Sequence, residues 1–82
     1  MSTKLYVGNL PWTFNNNQLL DIFKPHGNVV SAKVVTDKES GKSRGFGFVE
    51  MENDNDANSA IKSLNGSELS GRKLVVASAK AS

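Results

Sequence analysis

The chain is poor in residues that support covalent, metal or acid–base chemistry. In 82 residues it has no cysteine, one histidine, two prolines and one tryptophan. Without cysteine there are no disulfides and no thiolate metal ligands. Bridges that do not exist carry no information about redox compartment. His26 alone makes neither an acid–base pair nor a Ser–His–Asp set, and it is read as a packing or surface residue. No apolar run approaches the roughly 18 residues of a membrane helix. Met1-Ser2-Thr3-Lys4 leads straight into a strand-like run with no signal-peptide core, and no lysine–arginine cluster reads as a nuclear address. The expectation is an intracellular, cytoplasmic protein with no membrane partner, no cofactor, no metal and no catalytic residue.

The remaining composition, 38% apolar and 22% charged, is that of a folded domain rather than a disordered one. Its length suits a single domain, 1–82, with modest stability, because a chain this short buries only about 60–65% of the surface its unfolded state exposes. Ten basic residues against eight acidic ones leave a net charge of +2, which permits a polyanionic partner without demanding one. Where the charges sit therefore matters more than their sum.

Periodicity divides the chain into six segments. Lys4 to Leu10 alternates as a strand, with Leu5 and Val7 on one side and Lys4, Tyr6 and Gly8 on the other; Pro11 ends it. Asn15 and Gln18 form a capping box, Phe14 can staple onto Leu19, and Leu19, Ile22 and Phe23 make a helical stripe that stops at Pro25 and Gly27. Val29 to Thr36 is β-branched and strand-like. The polar run 37–43 is a mobile hairpin loop, and Arg44 to Met51 is the third strand. Asn53 caps a second helix that buries Ala57, Ala60, Ile61 and Leu64 and stops at Asn65-Gly66. A short connection through Gly71 leads to a last strand, Lys73 to Ala77, with Leu74 and Val76 inward. The order is βαββαβ, which predicts one antiparallel sheet covered by helices on one face only.

The bare face is where the chain concentrates its rings. In Arg44-Gly45-Phe46-Gly47-Phe48-Val49-Glu50-Met51, strand alternation sends Arg44, Phe46, Phe48 and Glu50 one way, and Val49 and Met51 the other. Tyr6 shares the first face. Flat rings beside a fixed positive charge suit stacked bases and a phosphate backbone, so single-stranded nucleic acid is the leading expectation.

These segments resemble the RNA recognition motif. That family's octapeptide runs basic, Gly, aromatic, small, Phe, Val, any residue, aromatic, and every position from Arg44 to Glu50 fits it. Met51 is the one departure, and it falls on the core side. The companion hexapeptide is Leu5-Tyr6-Val7-Gly8-Asn9-Leu10, and the resemblance extends from about Lys4 to Ala79. The chain also resembles the small single-motif bacterial members and the domain of glycine-rich members; the start at Met1 and the short tail favour a stand-alone protein, and a monomer is expected.

The resemblance implies an α+β, ferredoxin-like sandwich: a four-stranded antiparallel sheet with two helices on one face. It implies that Tyr6 and Phe48 stack bases, that Phe46 packs against riboses and that Arg44 pairs with a phosphate. Single-stranded RNA is the implied partner, with single-stranded DNA a second. Gly45 and Gly47 would let the helices approach the sheet. Lys4, Lys33, Val35, Glu50 and Val75 are further sheet-face positions. Lys33 is either a phosphate or base contact or a solvated lysine, and Lys42 and Lys80 extend the site through the loop and the tail. Trp12 is read as packing partly on the domain rather than stacking a further base. Two other readings remain: a face that docks protein, and an acyl-phosphate hydrolase of similar strand order. The hydrolase needs a phosphate-cradling loop after the first strand, where Pro11 supplies no N–H donor.

Overall fold

The two periodicities become elements close to where the caps and breakers put them. The computed structural model describes residues 3–79, as β1 (Thr3–Gly8), α1 (Asn16–Phe23), a 3-10 turn (Lys24–His26), β2 (Val29–Thr36), β3 (Ser43–Met51), α2 (Asp54–Leu64), β4 (Glu68–Leu69), β5 (Arg72–Lys73) and β6 (Val75–Ser78). The α1 capping box is formed in both directions: the Gln18 N–H donates to Asn15 Oδ1 and the Asn15 N–H donates to Gln18 Oε1, each at 2.9 Å. Asn53 caps α2 by accepting from the Asp56 N–H at 2.8 Å. Asp54 and Asp56 occupy the first turn of α2, where the helix dipole favours negative charge.

The four main strands pair in the order β2-β3-β1-β6, all antiparallel, while β4 and β5 form a separate two-residue hairpin. Both helices pack on one face. Leu5 and Val7 from β1, Val49 and Met51 from β3, and Val34 and Val76 from the edge strands bury there against Leu19 and Phe23 of α1 and Ala57 and Ala60 of α2. Met51 is fully buried and fills core volume where the family pattern carries a ring. The ferredoxin-like α+β sandwich expected from the sequence is the fold observed.

Three details depart from the sequence reading. The last strand begins at Val75 rather than Lys73, because Arg72 and Lys73 pair back onto Leu69 and Glu68 instead of joining the main sheet. Strand β2 does not alternate strictly: Val29 faces Met51 and Ser31 faces Glu50, so Val30 is an extra residue in a bulge and is 57% exposed. The two glycines of β3 also act differently. Gly45 has φ +84°, and a Cβ there would meet nothing nearer than the Leu10 carbonyl oxygen at 3.8 Å, so glycine serves backbone conformation rather than helix approach.

Gly47 does serve close approach. A Cβ there would lie 2.5 Å from the Lys33 carbonyl oxygen, 3.0 Å from Val34 Cα and 3.2 Å from Leu19 Cδ2. Two of the three neighbours are backbone, which cannot rotate aside. Gly47→Ala is therefore expected to destabilise the domain by about 1–3 kcal/mol, the usual penalty of overpacking. In thermal denaturation this is a fall of roughly 4–8 °C per kcal/mol for a domain of this size. An unchanged midpoint would refute the close-approach role.

Candidate nucleic-acid interface

Antiparallel pairing places residues that sit directly opposite each other on the same face of a sheet. Tyr6 in β1 lies opposite Phe48 in β3, Gly8 lies opposite Phe46, and Lys33 in β2 lies opposite Phe48 from the other side. The helix-free face therefore carries three rings in a triangle. Their centroids are 5.9 Å apart for Tyr6–Phe46, 6.0 Å for Tyr6–Phe48 and 6.2 Å for Phe46–Phe48. The first pair is tilted by 31°, and Phe46 meets Phe48 edge-on at 89°. Edge contacts of this kind hold the rings in fixed orientation and stabilise each pair by about 0.5–1.5 kcal/mol beyond the area they bury. All three rings are half-buried by their neighbours, and none belongs to the core cluster.

Two contacts adjust this platform. The Lys4 ammonium stands 4.9 Å from the Phe48 centroid, a cation–π contact on a ring face. The Tyr6 ring leans over the backbone of Gly8, so a Cβ on Gly8 would fall 2.6 Å from Tyr6 Oη and 2.8 Å from its ring. Gly8 is thus the seat of the Tyr6 ring. The sequence placed both residues on one face, but side-chain lean along a strand has no sequence signal.

Arg44 lines a groove at the end of β3, beyond Phe46. Parity assigned it to the ring face, but the left-handed Gly45 interrupts the pleat between Arg44 and Phe46. Opposite Val34 to Thr36, β3 runs from Gly47 back to Ser43, two residues more than β2 supplies. Trp12, Asp37, Ser40, Lys42 and Ser43 line the groove with Arg44. Lys42 belongs to the same end of the sheet. Lys80 lies outside the described residues.

Trp12 is 72% exposed, against the expected partial packing. The Phe14 N–H donates to the Pro11 carbonyl at 3.0 Å, closing a turn that carries Trp12 and Thr13 at its tip. A side chain at a turn tip projects from the domain. The β2–β3 loop is closed by its own hydrogen bonds: Asp37 Oδ1 accepts from the Glu39 N–H at 2.8 Å and the Ser40 N–H at 3.2 Å, and the Asp37 N–H donates to the Lys42 carbonyl at 2.7 Å.

Those donors hold the Asp37 carboxyl below its ordinary value of 3.8, the Glu39 N–H most and the Ser40 N–H next, with a smaller pull from the Arg44 guanidinium. A lowered folded-state value means the carboxylate supports the loop fully above pH 3.8. That support is lost as pH falls from 3.8 through the depressed value. Protection of the Glu39 and Ser40 amides, relative to their intrinsic exchange rates, is expected to fall as pH drops across that window and to be constant above it. Equal protection on both sides would remove Asp37 as the loop's anchor. A second expectation concerns Gly8→Ala: the fold persists while the Tyr6 ring swings away, altering the resonances of this sole tyrosine. An unaltered Tyr6 spectrum would show that Gly8 is not its seat.

Among the described residues no group of three or more His, Asp or Glu side chains is placed to hold a metal ion, and no helix is long and apolar enough to cross a membrane. Comparison with known proteins agrees with the geometry. RNA-binding protein CP31B, chloroplastic, of Arabidopsis thaliana is 52% identical over 73 residues, which make up 89% of this chain and 25% of that protein. The chain thus spans about a quarter of that relative's length, and the relative's chloroplast label lends no support to the cytoplasmic expectation. The crystal structure of RNA Binding Protein PG1 superposes with a TM-score of 0.92 at 48% identity, covering 98% of this chain and 96% of that one. The Rna15 motif with bound GU RNA superposes with a TM-score of 0.82 at 31% identity, covering 90% and 79%. The family description "RNA recognition motif" matches residues 5–75, and with the ring triangle on an uncovered sheet this chain belongs to the RNA recognition motif family.

Proposed function

We propose that the chain binds single-stranded RNA on its helix-free sheet face and performs no chemistry on it. The carrying observation is the triangle of Tyr6, Phe46 and Phe48, with centroids about 6 Å apart on a rigid sheet. Tyr6 and Phe48 each offer a face to a base, and Phe46 packs against the riboses between. Rings fixed on strands lose little freedom on binding, so each stack contributes about 1–3 kcal/mol. The Lys4 ammonium over Phe48 is worth about 0.5–1 kcal/mol at an exposed site. The base is the stronger partner, so it displaces the ammonium, which then serves a phosphate. Lys33, exposed beside Phe48, is a second backbone contact. Arg44 and Lys42 pair with phosphates where the strand leaves the rings. The tail residue Lys80 adds a further cation.

Relatives described as ribonucleoproteins and a neighbour solved with bound RNA support this reading. Single-stranded DNA binds as well, since a ring face does not sense the 2′-hydroxyl. The protein acts as a monomer in masking, remodelling or delivering a transcript.

Tyr6→Ala and Phe48→Ala are each expected to weaken binding of a uridine-rich or mixed RNA oligonucleotide by ~1–3 kcal/mol while the domain stays folded. Titration of each variant, with the fold monitored in parallel, checks this. Unchanged affinity in a folded variant sinks the stacking role. A wild-type chain that binds no oligonucleotide at low salt favours the protein-docking reading instead.

A further inference from the structure

Trp12 is the largest exposed apolar side chain among the described residues, and nothing in the ring platform uses it. It stands between two open grooves. One, of about 770 Å³, runs past Phe14, Asn17, Val34 and Thr36; the other, of about 320 Å³, holds Asp37, Ser40 and Arg44, with Lys42 and Ser43 shared between them. Trp12 lines both.

The surroundings favour a nucleotide over an apolar protein surface. Protein-docking faces gather several apolar side chains, whereas the other exposed large apolar residues here are Val30 and Val75. Val75 is on β6, at the opposite edge of the sheet from β2. Val30 lies six residues before Thr36 along β2, about 20 Å away at strand rise. Trp12 is therefore the one exposed ring at this corner: the half-buried Phe14 and the buried Val34 line the larger groove with it, while the smaller groove is lined otherwise by polar and charged side chains. Its charged neighbours are Lys42 and Arg44 against Asp37, and the Asp37 carboxylate is already engaged by two loop N–H donors. A single flat ring with two cations and the Ser40 and Ser43 hydroxyls matches a base and its phosphates.

The site is also continuous with the platform. Phe46 pairs with Gly8, and the next tie between the two segments is the Leu10 N–H donating to the Gly45 carbonyl at 2.8 Å. Trp12 follows two residues later, and Arg44 follows Gly45 on the β3 side. A strand crossing the rings and leaving at the Phe46 end meets Arg44 and then Trp12.

We infer that Trp12 is a further base-stacking platform, taking a nucleotide that flanks those on the three rings, with Arg44 and Lys42 holding the intervening phosphates. This rests on the single-stranded RNA reading above and extends its footprint past the end of the sheet. It makes affinity depend on oligonucleotide length.

Because Trp12 is the sole tryptophan, its emission reports the site directly. The experiment titrates the whole chain with uridine-rich RNAs of increasing length, from about three nucleotides, enough for the rings, to about seven. Emission and affinity are followed in the wild type, Trp12→Ala and Trp12→Phe. Quenching is expected with the longer RNA and not with the shortest. The gain in affinity on lengthening should fall by roughly 5- to 150-fold in Trp12→Ala, the factor for one lost stack, and be largely kept in Trp12→Phe. Trp12 is exposed at a turn tip, so both variants are expected to fold. Unquenched emission together with an equal length gain in Trp12→Ala would overturn the Trp12 site, while a loss on Tyr6→Ala in the same series would leave the ring platform standing. If the wild type binds none of the RNAs at low salt, both readings fall.

Discussion

The two-residue pleat of β3 is the constraint on which the rest depends. Val49 and Met51 are fully buried under the helices, and a strand that sends them inward sends Phe48 and Glu50 outward. Among its described residues the domain has two α-helices, both on one side, and neither covers the outward set. The apolar residues available to it are spent on a single core, as a short chain requires. Three rings are consequently left on a face that folding alone does not call for. They are prevented from collapsing onto each other as a disordered patch by edge-on contacts and by the seat that Gly8 provides for Tyr6.

The glycines show how one residue type solves separate problems along the same strands. Gly47 lets Leu19 and the β2 backbone close on the sheet, and Gly8 lets the Tyr6 ring lie flat on the opposite face. Gly45 changes the direction of β3 just beyond Phe46. Two kinds of binding group lie on either side of that point. Rings and the lysines beside them lie within the sheet, while Arg44 and Lys42 join Trp12 at its end. The electrostatic part of the surface thus continues where the aromatic part stops, and the loop carrying it is held by the Asp37 carboxylate rather than by packing.

Much of the fold was legible because its signals are local. Asn15 with Gln18, and Asn53 with the acids of the next turn, marked both helix starts, and the β-branched run marked β2 to the residue. The β4–β5 hairpin was missed because two-residue strands carry no periodicity. Its turn also uses Ser70 at φ +51° before Gly71 at φ +79°, and serine is a poor signal for such a turn. The Val30 bulge was missed because Val29-Val30 reads as continuous strand, and only pairing against β3 reveals the extra residue. Trp12 was misread because a tryptophan beside a proline suits a packed corner as well as a turn tip; the Pro11–Phe14 hydrogen bond decides it.

By itself, the sequence determined the βαββαβ order, the one-sided core and the identity of the three rings, since each follows from alternation or helical spacing between near neighbours. Tertiary structure decided what depends on residues distant in the chain. Pairing of β1 with β3 gathered Tyr6, Phe46 and Phe48 into a triangle and set Lys33 beside it. The fold of the β2–β3 loop brought Lys42 and Asp37 to Trp12 at the start of β3, where Arg44 lines the same groove. Parity counts residues along one strand; it carries no information about bulges, turns or which loop closes over which.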